Sequence, residues 1–379
     1  MQKKVTPSIY CCDQQFYQRI ERDAPILTRC YQPPIFWGNC GHLQTIIFTL
    51  LGRFKIPTIK GERVLLQADD GATISYDIFH PSSSVKQRED LIFFLAPGFA
   101  SNSESDYVCT FMQYLTTSGY RCAVLNQVGT IPSIPVTAPR LFSFGHTNDL
   151  HIALTDYIAR YPKSKVILFG FSFGGNLVPK YLGEEDRQRS PNILAAFSIS
   201  SSLDAQKTFS AEHERWWRLP QFIYQYFLVR SAKVLISRHR HILLSDEIVK
   251  RYDLDVNAIF SCKSLFSLDE LYTKRIFNFP TVSEYYRKSS AVHYLQNIKV
   301  PMIFINARDD PILSDALLSS YRAFAKSRKM VIAIELPYGG HLAFFENNYF
   351  IPESITWLER ALIQLAEAIY KDCVECKEE

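Results

Sequence analysis

Ser172 stands in Gly170-Phe171-Ser172-Phe173-Gly174-Gly175, and the apolar run Val166-Ile167-Leu168-Phe169 leads straight into it. A serine framed by glycines where a buried strand turns into a helix is a nucleophile elbow. Glycines suit such a turn because side chains beside the serine would collide with the neighbouring strand and helix. The hydroxyl is a weak nucleophile at neutral pH, so it needs a base, and the base needs a partner that fixes its tautomer. Downstream, Asn306-Ala307-Arg308-Asp309-Asp310-Pro311 offers the acid and Tyr338-Gly339-Gly340-His341 the base, in the chain order serine, acid, histidine. Either aspartate could face the imidazole while the other caps the following helix or pairs with Arg308. Asp310, next to the proline, is favoured, and Asp204 is a remoter alternative.

Such a set does acyl transfer, whose tetrahedral intermediate needs two backbone N–H donors at its oxyanion. Phe173, the residue after the serine, supplies one. Phe99, in Pro97-Gly98-Phe99-Ala100, is expected to supply the other. A helix opening after Ser172 would also aim its first N–H groups and positive dipole end at the serine oxygen. A second spacing, His241 to Asp246, has the form of an acyltransferase pair, but it lies in a basic, aromatic stretch suited to headgroups or solvent.

The elements that must position these residues follow from the apolar pattern. Residues 62–79 read as a hairpin turning at Asp69-Asp70-Gly71. Short apolar runs follow at 91–96, 121–126, 165–171, 193–200, 300–306 and 330–336, each a strand. Amphipathic runs at 107–118, 149–161, 176–182, 314–324 and 354–370 read as crossover helices. The alternation predicts an α/β fold with a mostly parallel central sheet and flanking helices. Serine, acid and histidine then share the edge formed by the carboxyl ends of the strands.

Residues 203–297 break the rhythm with Arg215-Trp216-Trp217-Arg218, Phe222 to Val229 and Arg238-His239-Arg240-His241, and read as a helical cap over that edge. The expected organisation is an N-terminal arm at 1–60, a first core part at 61–202, the cap at 203–297 and a second core part at 298–379. With its proline pair and aromatics, the arm is expected to be extended and to pack on the core.

Composition narrows the function. The chain has 379 residues, 47% hydrophobic and 21% charged, which is globular and long enough for a large core. A net charge of +4, evenly spread, excludes a nucleic-acid binder. Aromatics reach 14%, with 27 Phe and 21 Tyr, which suits an apolar ligand or a membrane surface. Nine cysteines without paired or metal-ligand spacing read as reduced thiols, and the terminal Cys373-x-x-Cys376 lacks the partners of a metal site. No stretch of 18 apolar residues is present, so no transmembrane segment is expected.

Several motifs carry a family resemblance: Trp37-Gly-Asn-Cys-Gly-His-Leu-Gln-Thr45, Tyr120 to Asn126, Gly170 to Asn176 with Lys180 to Glu184, Asn306 to Pro311, and Gly339-Gly-His-Leu-Ala-Phe-Phe-Glu346. Together they resemble the EMB8/YheT-like (AB hydrolase 4) branch of the α/β-hydrolases, from about Tyr31 almost to the C-terminus. The resemblance implies the α/β-hydrolase fold, a triad of Ser172, Asp310 and His341, and hydrolysis of monoacylglycerols such as 2-arachidonoylglycerol to glycerol and free fatty acid, with no metal or cofactor. It also implies a lipid ester substrate, a membrane surface such as the plasma membrane or endoplasmic reticulum, and a steroid regulator. Family members carry an apolar N-terminal anchor, and this chain is expected to begin just beyond it. Two other functions fit the same residues: a lipid acyltransferase, and a steroid- or lipid-binding sensor with residual esterase activity.

Overall fold

The computed structural model of the chain describes residues 4–50, 59–209, 219–346 and 353–374. Its centre is a nine-stranded sheet. The strands are β1 (Ser8–Tyr10), β2 (Glu62–Gln67), β3 (Thr73–Phe79), β4 (Arg88–Ala96), β5 (Tyr120–Asn126), β6 (Lys165–Phe171), β7 (Ile193–Ile199), β8 (Met302–Ala307) and β9 (Val331–Leu336). Their order across the sheet is β1-β9-β8-β7-β6-β4-β5-β3-β2. β4 to β9 are mutually parallel, β1 and β3 run antiparallel to them at opposite sides of the sheet, and the edge strand β2 pairs antiparallel with β3.

The parallel strands are apolar along their whole length because both faces are covered. On β4, Ile92, Phe94 and Ala96 point into one buried layer and Leu91, Phe93 and Leu95 into the other. One face packs against α4 (Asn148–Arg160), α5 (Phe173–Gly183) and the helix Asp315–Ser327. The opposite face packs against α1 (Gln14–Asp23), α3 (Asp106–Thr117) and the helix Trp357–Val374. The mostly parallel sheet between helical layers is the architecture expected from the alternating pattern.

The N-terminal segment is not simply extended, as its prolines and aromatics suggested. Ser8–Tyr10 joins the sheet beside β9. α1 begins at an Asp13 cap, whose carboxylate accepts the Phe16 N–H at 3.1 Å, and buries Phe16 and Ile20. The Ile26 N–H donates to Gln364 Oε1 at 3.0 Å on the helix Trp357–Val374. A further helix, α2 (Gly41–Leu50), reaches the functional edge of the sheet.

Between β7 and β8 the chain forms a group of helices, of which Leu219–Arg238 is the longest. His239 ties this group to the core through Nε2, 2.9 Å from the Gly129 carbonyl oxygen. The run Arg215 to Arg218, and Cys376, lie outside the described residues.

Candidate active site

Ser172 sits between the end of β6 and the start of α5 with φ +51 and ψ −109. Positive φ is costly for a residue with a Cβ and persists only where its surroundings over-determine it. The surroundings here are close. A Cβ on Gly174 would lie 2.0 Å from the Ala96 carbonyl oxygen, one on Gly170 would lie 2.3 Å from that of Gly174, and one on Gly175 would lie 2.6 Å from Ser201 Cβ. The Ser172 N–H donates to Ile199 O at 2.8 Å and the Gly174 N–H to Pro97 O at 3.1 Å, so both neighbouring strands hold the turn.

The Ser172 hydroxyl lies 2.8 Å from His341 Nε2, and His341 Nδ1 lies 2.8 Å from Asp310 Oδ2. A carboxylate only accepts, so Asp310 selects the tautomer with the proton on Nδ1 and leaves Nε2 as an acceptor for the Ser172 hydroxyl. Asp310 is itself fixed, because its Oδ1 accepts the Ile312 N–H at 2.8 Å.

Asp309 does different work. Its Oδ1 accepts the Gly340 N–H at 2.9 Å, holding the histidine loop, and burial pushes its carboxyl up to about 6 with the nearby Asp310 charge adding to the effect. Arg308 pairs with neither aspartate. It turns instead to the buried Glu335 on β9, at 3.2 Å. Asp204 caps the helix Ala205–Phe209 by accepting the Lys207 N–H at 3.0 Å. His241 and Asp246 are both exposed, and neither lines the cavity that Ser172 faces.

Phe173 opens α5, so its N–H belongs to the first turn, which has no intrahelical acceptor. Across from it, the Gly98 N–H is taken by the Tyr107 hydroxyl at 2.8 Å, and the Phe99 amide follows it in the loop after β4. The rings of Phe99 and Phe173 pack edge to face at 5.9 Å, and Phe142 meets each of them at 5.3 Å. That three-ring cluster fixes the loop after β4 against the start of α5.

The motif from Trp37 to Thr45, which the sequence alone left without a task, holds the histidine loop. Thr45 Oγ1 accepts the His341 N–H at 2.9 Å, and Gln44 Oε1 accepts the Phe345 N–H at 3.2 Å. Trp37 packs edge to face on Phe345 at 5.4 Å. Gly41 has no room for a side chain, since a Cβ would stand 1.8 Å from the Asp309 carbonyl oxygen. Glycine, glutamine and threonine at fixed spacing beside an aromatic were the available signal, but no local pattern names a partner some 300 residues away.

Ser172 and His341 open onto a cavity of about 830 Å³ with predominantly apolar walls. Phe142 and Phe144 line it from the core. Leu228, Ser231, Ala232, Leu235 and Ile236 line it from one face of the helix Leu219–Arg238, at the spacing of a helical stripe. Ser172 therefore faces a space suited to an apolar chain. Among the described residues no group of three His, Cys, Asp or Glu side chains could hold a metal ion, and no helix is long and apolar enough to cross a membrane.

Residues 92–348 match the model of the alpha/beta hydrolase fold family. The chain is an α/β-hydrolase. Over 366 residues the hydrolase is 38% identical to the Abhydrolase domain-containing protein 2 of Drosophila melanogaster, covering 96% of this chain and 90% of the relative. It is 34% identical over 370 residues to the Monoacylglycerol lipase ABHD2 of Mus musculus, covering 96% and 85%. Phospholipase ABHD3 of Mus musculus is more distant, at 25% over 367 residues, 96% of this chain and 84% of the relative. These relatives bear out the family read from the motifs, and the hydrolase is a carboxylic ester hydrolase of the lipase/esterase type.

Proposed function

We propose that the hydrolase cleaves monoacylglycerols, such as 2-arachidonoylglycerol, to glycerol and free fatty acid, with Ser172, His341 and Asp310 as its catalytic residues. The observation that carries this reading is a hydrogen-bonded line from Ser172 through His341 to Asp310, at 2.8 Å per step, opening onto an apolar cavity. Ser172 Oγ attacks the ester carbonyl while His341 Nε2 takes its proton. Asp310 stabilises the imidazolium, and the N–H groups of Phe99 and Phe173 bind the oxyanion. The tetrahedral intermediate collapses to an acyl-serine, with His341 returning the proton to the departing glycerol. Water then repeats the sequence, and the fatty acid leaves.

The acyl chain occupies the cavity beneath the helices of residues 203–297, which act as its cap. Each methylene buried there contributes about 0.8 kcal/mol, so long chains bind better than short ones. Ile46 and Phe227 line the cavity and are also exposed, at 43% and 54%. Leu43 and Tyr226, on the same two helices, are exposed as well, and these apolar side chains suit a membrane surface, plasma membrane or endoplasmic reticulum, from which a single lipid passes inward. A steroid regulator would act by competing for this cavity.

The reading is tested by fluorophosphonate labelling of the parent and Ser172→Ala, together with fatty acid release from monoacylglycerol. The parent is expected to label and to release acid, and the variant to do neither. Equal labelling of the two proteins would sink the assignment of the nucleophile.

A further inference from the structure

Two carboxylates, Asp106 and Asp269, stand in the predominantly apolar wall of the cavity, and Asp269 is the one on the side of the helices between β7 and β8. Asp269 begins a turn of π-helix, Asp269–Thr273, which continues the short helix Leu265–Leu268. A π-turn shifts the side chains that follow it out of α-helical register, and such turns recur at functional sites. Here Leu265, Leu268, Asp269, Tyr272 and Thr273 all line the cavity, so the turn presents polar groups to the space that Ser172 faces.

Asp269 is only partly satisfied. The Tyr286 hydroxyl donates to its Oδ2 at 2.9 Å, and the Thr273 side chain hydrogen-bonds to it as well. Among the described residues no lysine or arginine pairs with it. An ionised carboxylate has about four acceptor positions, so these two donors leave capacity unused. Burial pushes the carboxyl up to about 6, against the pull of both hydrogen bonds. On the same cavity wall the Tyr272 hydroxyl, 4% exposed as a residue, has no hydrogen-bond partner among the described residues.

A wall meant only for methylenes gains nothing from these groups. A chain carbon set against a desolvated carboxylate leaves it unmatched, whereas an O–H donor restores what water supplied. A hydroxyl suits the place better than an ammonium, because it can donate to the carboxylate and accept from the carboxylic acid.

We propose that Asp269, Tyr272 and Thr273 form a polar subsite that takes a hydroxyl of the ester substrate away from the scissile carbonyl. The proposal rests on the ester-hydrolase reading of Ser172. The hydroxyl has two chemical sources, a hydroxylated acyl chain or the alcohol part of the ester.

The test compares kcat/KM of the full chain for three substrates in the same micelles: methyl stearate, a mid-chain methyl hydroxystearate, and monostearoylglycerol. Hydrogen bonds to charged groups set the expected preference of the parent for a hydroxylated substrate over methyl stearate at about 10–100-fold. Asp269→Leu is expected to bring that ratio close to one. Asp269→Asn keeps an acceptor for Tyr286 and is expected to fall between, so it carries the test if the leucine variant does not fold. Loss confined to the hydroxystearate arm assigns the subsite to the acyl chain, and loss confined to the glyceryl arm assigns it to the alcohol. No preference in the parent, or a ratio untouched by either variant, overturns the subsite while leaving the hydrolase reading intact. Cleavage of none of the three by the parent overturns both.

Discussion

The Thr45 hydroxyl accepts the backbone N–H of His341 at 2.9 Å and donates its own proton to the Gly41 carbonyl at 2.7 Å. His341 is thus held twice, by Thr45 at its main chain and by Asp310 at its ring, 2.8 Å from Nδ1. Neither contact alone sets where Nε2 points. A threonine near the start of the chain therefore helps position a ring near its end.

Thr45→Val keeps the shape and removes both hydrogen bonds. An orphaned buried donor costs about 1–3 kcal/mol, so kcat is expected to fall about 10-fold or more while KM changes little. Thr45→Ser should restore most of the loss. Steady-state kinetics of the three proteins checks this, and a loss expressed in KM alone would show that Thr45 shapes the cavity without positioning the ring.

Removing the serine hydroxyl is expected to lower hydrolysis about 10⁶-fold without unfolding the protein. Its backbone, at φ +51, strains any residue with a Cβ. Ser172→Gly is therefore expected to be more stable than Ser172→Ala by about 1 kcal/mol, although both are inactive. Thermal unfolding of the two variants decides it.

The adjacent aspartates should separate cleanly. Asp310→Asn is expected to cost about 10⁴-fold in kcat, because an amide opposite Nδ1 favours the wrong tautomer. Asp309→Asn should leave most of the activity, and its signature lies in stability. The Asp309 carboxyl is raised from 3.8 to about 6, so between those values the folded state keeps a proton that the unfolded chain has released. Stability from this group is full below that window and declines as pH rises through it. Melting temperatures of the parent and Asp309→Asn, compared at pH 4 and pH 7, should show the variant gaining relative to the parent at the higher pH.

Gly174→Ala places a methyl carbon 2.0 Å from the Ala96 carbonyl oxygen, a backbone atom that cannot swing aside. The cost is expected to exceed the 1–3 kcal/mol usual for overpacking, with a lower melting temperature and loss of hydrolysis together. Circular dichroism melts and an ester assay on one preparation would show whether the two losses coincide.

The parallel strands were legible because each is buried on both faces and so reads as an unbroken apolar run, as in Leu91 to Ala96. That Ser172, His341 and Asp310 would meet was legible because all three follow strand ends at one edge of the sheet. What was not legible depended on distant partners. Three residues, Ser8 to Tyr10, are too few to show a strand period and become one only by pairing with β9. α5 begins at Phe173 and not at Asn176 as expected, since Gly174 and Gly175 are poor helix formers that close packing makes necessary. The π-turn at Asp269 leaves no mark in hydropathy, and α2 had no visible task without the loop it holds.

The contacts that complete the site join the two ends of the chain: Ser8 is in register with Glu335, the Tyr31 hydroxyl donates to Phe345 O at 2.6 Å, and Thr45 meets His341. During synthesis the early partners emerge first and have nothing to grip until β9 and its loop have left the ribosome. An enzyme that attacks lipid esters is therefore assembled last of all at its reactive centre. A half-made chain, still lacking His341, holds no hydrogen-bonded line to Ser172.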